Sequence, residues 1–161
     1  MFKELLGLPA HPLLVHAAVI FGPLLVLSVV VYSLIPSVRR FLGWTVVALA
    51  IVAPAALWFA KLSGEELFRT LIAKNYPQEI LSQVDKHGDF ADVAAWTGTA
   101  LGVLSLFLVL ICTAAGKKPA TPGSRSLTYG IVVISLLVAG VTGYYVFKTG
   151  DTGAHIVWAN I

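Results

Sequence analysis

Four histidines are the side chains here whose type and placing suggest chemistry. His11 and His16 bracket the string HPLLVH, His87 sits in KHGDFAD, and His155 in TGAHIVW. A neutral imidazole is a good ligand for zinc, copper and iron. Two that face each other at one depth can hold a b-type haem between helices. Pro12 fits a first helical position, which places His11 just before a helix and His16 a full turn inside it. A separation of five residues leaves their rings about 140° apart and about 7.5 Å along the axis, so they are a poor chelating pair. His87 follows Val84 by three residues and Ile80 by seven, on the apolar face of its segment, where an imidazole needs a partner. Asp85 lies on the other face and is not that partner.

Three roles stay open for these rings. As metal ligands the candidates are His11, His16, His87 and His155. As a cofactor-binding pair the candidates are His16 with His87, or His16 with His155. As structural groups, each would bond a carbonyl or carboxylate and order its end of the molecule. His16 is also the one histidine placed for proton handling inside the membrane.

Other chemistry is sparse. No Ser/His/Asp pattern, no Gly-rich phosphate loop and no catalytic set is recognisable. Cys112, the single cysteine, cannot form an internal disulfide and reads as a small packing residue. Glu65 and Glu66 read as charges at a helix start. These features favour a non-enzymatic subunit.

The elements that must position the histidines are apolar. Hydrophobic residues make up 58% of the 161 and charged residues 12%, which excludes a disordered chain and disfavours a soluble enzyme. The net charge of +3 comes without a basic run interleaved with aromatics, so no nucleic-acid partner is expected. No Asp, Glu, Lys or Arg occurs from Leu5 to Val38, Phe41 to Ala60, Val93 to Gly116 or Ser126 to Phe147. Each run exceeds or matches the roughly 20 residues a spanning helix requires. The reading is all-α: an integral membrane four-helix bundle, one transmembrane domain over 1–161, with spans near 12–35, 42–61, 92–115 and 127–148. The first run is too long for a signal-peptide core, and no cleavage site is evident.

Arg39 and Arg40, and then Lys117, Lys118 and Arg125, crowd the two short connections without an acid among them. Basic density of that kind marks a cytoplasmic side. It puts both termini and all four histidines on the extracytoplasmic side of a cell inner membrane. Trp44, Trp58, Trp96 and Tyr145 fall near span ends, at headgroup level.

Small residues at helical spacing predict close helix contacts: Ala18 with Gly22, Ala56 with Ala60, Gly98 with Gly102, and Gly140 with Gly143. Pro23 and Pro54 should kink helices 1 and 2. Between helices 2 and 3, the pattern predicts a short amphipathic segment of two helices lying on the membrane or capping the bundle. One starts at Ser63–Gly64–Glu65; Pro77 ends it. The second carries Ile80, Leu81 and Val84 and ends at Gly88. Asp89 and Asp92 are then expected to cap helix 3. Asp151 and Thr152 are expected to cap a separate short tail helix.

The opening GLPAHPLLVHAAVIFGPLL resembles the first-helix signature of domain of unknown function 2231, a family of small bacterial membrane proteins. SGEELFRTL, KHGDFAD and the ending TGDTGAHIVWAN resemble its actinobacterial branch, so the likeness runs the length of the chain. It implies a four-span bundle and no established activity. Links of other members to redox domains make a metal or haem more attractive, and His11 and His16 carry over as signature positions without a role. The chain departs from some relatives at Asp151 and His155. The expectation is therefore a small multi-pass membrane protein that binds a metal or b-type haem through histidines at its extracytoplasmic end, in a redox-associated role. Its partners would be the lipid bilayer and a membrane or redox protein. The alternative is a structural or accessory subunit with no cofactor.

Overall fold

A computed structural model describes residues 4–5, 8–115 and 121–158. Lys117 and Lys118, which entered the reading of orientation, lie outside the described residues. A two-stranded antiparallel pair, β1 (Glu4–Leu5) with β2 (Leu8–Pro9), leads into α1 (Ala10–Leu34). A 3-10 turn (Pro36–Val38) joins it to α2 (Arg39–Ala73); α3 (Gln78–Ala115) and α4 (Pro122–Trp158) follow. The protein is a four-helix bundle whose helices are all long and apolar enough to cross a membrane. It is a small multi-pass membrane protein.

Neighbours in sequence pack side by side, α4 closes against α1, and α1 and α3 lie on a diagonal. Leu25, Val29, Tyr32, Val46, Leu101 and Leu108 fill the centre. Ser28, Ser105, Ser135 and Thr142 are also buried, small enough to let backbones approach where no hydrophobic drive acts between helices. Phe41, Trp44, Leu110, Leu137 and Phe147 point outward and are more than half exposed. Such a surface is anomalous in water and natural in lipid.

The predicted breaks between spans and amphipathic segments are absent. α2, α3 and α4 have 35, 38 and 37 residues. At 1.5 Å per residue each is over 50 Å long, against a hydrocarbon core of about 30 Å. The charge-free parts suffice to cross the membrane, which leaves residues 61–73, 78–92 and 148–158 as continuous helix beyond that length. The two short helices and the separate tail helix are thus extensions of the spans. Ser63 and Gly64 start nothing: Ser63 is buried inside α2, its hydroxyl donating to the Ala60 carbonyl at 2.8 Å. Gly88 does not end a helix, and Asp89 and Asp92 cap none, because α3 has begun at Gln78. Asp151 and Thr152 likewise lie inside α4.

The turn between α2 and α3 does fall where Pro77 predicts. Asn75 takes a left-handed φ of 54°. The Tyr76 N–H reaches the Leu71 carbonyl and the Asn75 N–H the Ile72 carbonyl, closing the last turn of α2 in a Schellman motif. At the opposite end of the bundle, Arg39 donates to the carbonyls of Tyr32 (2.9 Å) and Ser33 (3.0 Å), two of the open acceptors at the end of α1.

The predicted small pairs serve different contacts. A Cβ on Gly102 would stand 2.5 Å from the Ala50 carbonyl oxygen, and one on Gly98 2.5 Å from Leu57 Cδ1. Both glycines bring α3 against α2. Pro54, inside α2, has no N–H to give the Ala50 carbonyl, and Gly102 packs against that same oxygen. Gly22 and Gly143 bring α1 against α4, where a Cβ on each would meet Val146 at 3.4 Å and Val26 at 3.5 Å. Gly140 has open space around it.

Candidate functional site

The projecting parts of α2, α3 and α4 meet the start of α1 at one end of the bundle. There they surround a cavity of about 910 Å³. Ala18 of α1 and Val146 of α4 line its floor. Leu57, Ala60 and Phe68 of α2 and Val84 and Ala91 of α3 form much of its wall. His11, His16 and His87 all line it; His155 does not.

α1 begins at Ala10, two residues earlier than Pro12 suggested, so His11 is helical and half-buried. It faces α2. Its Nδ1 lies 3.0 Å from the Ala60 carbonyl and 3.2 Å from Ser63 Oγ. Both oxygens act as acceptors toward it, since the Ser63 proton is already given to Ala60. The acceptors fix the tautomer: Nδ1 carries the hydrogen and Nε2 presents a lone pair.

His87 repeats the arrangement on the other half of the bundle. Its Nδ1 lies 3.0 Å from Thr152 Oγ1, which donates its own proton to the Lys148 carbonyl at 2.8 Å. The inward aim predicted for His87 holds, and Thr152 is the partner it needed. Each ring also rests over a glycine. A Cβ on Gly64 would meet His11 Cε1 at 3.1 Å, and one on Gly153 would meet His87 Cε1 at 3.0 Å. Nothing in the sequence pattern singled out Gly64 or Gly153 as seats for rings.

The two rings face one another across the cavity, edge to face, with centroids 6.5 Å apart. Both stand just outside the spans. Burial pushes the His87 pKa down, the neighbouring His11 pushes it further, and the Thr149 carbonyl opposes them. Burial also lowers His11, against the pull of the Ala60 carbonyl. Both rings are held in the neutral, ligating form.

The remaining histidines stand apart from this pair. His16 Nδ1 donates to the Pro12 carbonyl of its own helix at 2.6 Å, and its ring is exposed on the side of the cavity away from α2. His155 Nδ1 donates to the Asp151 carbonyl at 2.8 Å, beside the Asp151 carboxylate at 3.4 Å. The structure brings together His11 and His87, where the sequence pointed to His16 with His87 or His155. Among the described residues, no group of three or more His, Cys, Asp or Glu is placed to hold a metal ion.

Below the pair, Lys61 joins α2 to α3. Its Nζ lies 2.9 Å from Glu65 and 2.8 Å from Asp92, over the face of Trp58. Trp58 in turn donates to Thr99 Oγ1 at 2.9 Å and stacks edge-on with Trp96. Glu66 pairs with Arg69 on the outer side of α2, as a surface contact. Cys112 lies far from all of this, packed against the core.

The chain matches no family model, no curated protein and no solved structure.

Proposed function

We propose that this protein binds a transition-metal centre at its extracytoplasmic end, with Nε2 of His11 and of His87 as its two protein ligands. The observation that carries this reading is the pair itself: two neutral imidazoles, 6.5 Å between centroids, each with Nδ1 anchored on an oxygen. Metal-binding histidines use such a bond from the other ring nitrogen to fix ring and tautomer. Two imidazoles bound to one ion at about 2.1 Å put their centroids at most about 6.5 Å apart, so the pair stands at the wide limit for sharing an ion. The remaining coordination positions fall to water or an added ligand. The carboxylates of Glu65, Asp85, Asp89 and Asp92 around the cavity favour a cation.

A b-type haem iron also needs only two imidazoles, and the cavity volume suits it. Its carboxylates fit poorly. Lys61, the cavity's one lysine, is already paired with Glu65 and Asp92. The charge balance therefore favours a bare ion. A redox-associated role goes with copper or iron, a structural one with zinc.

A second reading has its own support. His11 ties α1 to α2 and His87 ties α3 to α4, so the rings could serve as staples alone. Elemental analysis of detergent-purified protein for iron, copper and zinc, with an absorption spectrum, separates the readings. Near-stoichiometric metal, lost in His11→Gln and His87→Gln variants that still fold, supports the site. No metal after loading with each ion leaves the rings as staples and overturns the proposal. A Soret band with the iron would restore the haem.

We also propose the inner-membrane orientation and membership of the domain of unknown function 2231 family. The first rests on Arg39, Arg40 and Arg125 at the end opposite the histidines, the second on GLPAHPLLVHAAVIFGPLL. Labelling of single cysteines placed at Gly150 and Gly123, in a Cys112→Ser background, tests the orientation. Only Gly150→Cys should react from outside.

A further inference from the structure

We infer that the histidine cavity takes a second kind of ligand: a membrane-borne amphiphile whose head carries hydrogen-bond donors. The inference rests on where the cavity opens and on what its wall can exchange, and it does not require a metal.

The cavity reaches into the membrane. Val19 and Ile20 of α1 line it, yet they are 53% and 55% exposed and lie within the charge-free span. Val146 of α4 lines the same part of the wall, and the exposure of Val19 and Ile20 leaves that part within reach of the lipid. A ligand can enter there from lipid with its apolar part against Val19, Leu57 and Val146. Its head then lies at the level of the histidines.

At that level the wall mainly accepts hydrogen bonds. His11, His16 and His87 all donate through Nδ1 to other groups, so each has only the Nε2 lone pair to offer. Glu65, Asp85, Asp89 and Asp92 add carboxylates. Against these stand Lys61, engaged by two carboxylates, and the Trp158 indole, whose side chain is largely exposed at the rim. The Thr149 hydroxyl donates to the Tyr145 carbonyl. A head group rich in acceptors, or an anion, would find few donors. A hydroxylated or amine-bearing head fits. His16, exposed on the wall away from α2, is the acceptor nearest the membrane-embedded part of the wall.

The test uses chelator-treated, metal-free protein in a neutral detergent, with binding followed by tryptophan fluorescence and by calorimetry. The probes are matched pairs. Decylhydroquinone is compared with its dimethyl ether, which has no O–H. Decylamine is compared with decyltrimethylammonium, which keeps the charge and has no N–H. Decanoate is the anion. At least one donor-bearing probe should saturate at one site and bind at least about tenfold tighter than its matched partner, roughly the contribution of one lost hydrogen bond to a charged or buried acceptor. Whichever pair discriminates names the source of the head group. Ala18→Phe, which fills the cavity floor, should abolish that binding; His16→Phe should remove most of the preference for the donor. Equal binding within both pairs, or tighter binding of decanoate, overturns the proposal. A failure here leaves the metal reading untouched, because no metal is present. A failure of the metal analysis leaves this result standing.

Discussion

His87 of α3 meets His11 of α1 edge to face, 6.5 Å between centroids, and each ring lies over a glycine of another helix. Four helices therefore contribute to one pair: α1 and α3 give the rings, α2 and α4 give the oxygen and the flat seat. Gly153→Val should push His87 off its seat. Overpacking of this kind costs about 1–3 kcal/mol, and metal loading should fall with it. Gly140→Val is the control, since a Cβ there meets nothing within 4 Å and the position does not line the cavity. Thermal unfolding in one detergent and metal content read both effects; equal behaviour of the two variants would sink the seat argument.

Stability should depend on pH through the same rings. In the folded protein burial disfavours their protonated forms, whereas in the unfolded chain they titrate near the ordinary value of about 6.5. Between the lowered folded values and the unfolded one, the unfolded state holds more protons. The stabilisation is thus complete above about 6.5 and is lost as pH falls below it. The other titratable groups around the cavity are Lys61, Glu65, Asp85, Asp89, Asp92 and His16. Comparing wild type with a His11→Gln, His87→Gln double variant across pH 5 to 7.5, a range on the scale of an imidazole titration, subtracts them. The wild type should lose melting temperature on acidification more steeply; parallel curves would refute the assignment.

Gly98 and Gly102 have the same predicted spacing and unequal importance. A Cβ at Gly102 would meet a backbone oxygen, which cannot move away, and one at Gly98 would meet the end of the Leu57 side chain. Gly102→Ala should cost about 1–3 kcal/mol and Gly98→Ala distinctly less, because Leu57 can change rotamer. Steric-trapping or thermal measurements would overturn this ranking if Gly98→Ala were the worse.

Lys61 with Asp92 links the projecting parts of α2 and α3, yet the Asp92 side chain is 50% exposed. Partial exposure holds such a pair to about 0–1 kcal/mol. A double-mutant cycle of Lys61→Met with Asp92→Asn should return a coupling in that range that shrinks in high salt. A salt-independent coupling of several kcal/mol would mean that the pair is buried in the membrane-bound protein.

The four spans were legible because charge is so costly in lipid that its absence marks them residue by residue. The turn at Pro77 was legible for a local reason too, although Asn75, which takes the left-handed conformation there, was not singled out. What misled was residue type without context. Ser63, Gly64, Gly88, Asp89 and Asp151 are residues that often end or begin helices, yet here each lies within one. Gly64 makes room for a ring, Ser63 accepts a hydrogen bond from it, and Asp151 pairs with Lys148 and His155. The choice between His11 and His16 was similarly hidden. The 140° between them was readable, but which of the two faces α2 depends on helix rotation, and packing sets that.

Pro54 has a consequence for how the chain is put together. Alone in the bilayer, α2 would carry an unserved carbonyl at Ala50, a polar defect in a medium that offers no water to cover it. Gly102 packs against that same oxygen, so the bare carbonyl of one helix is covered by the next to be inserted. The second and third helices should thus mature as a single hairpin. An assembly intermediate with α2 inserted and α3 still outside would be the one the cell's quality control can recognise.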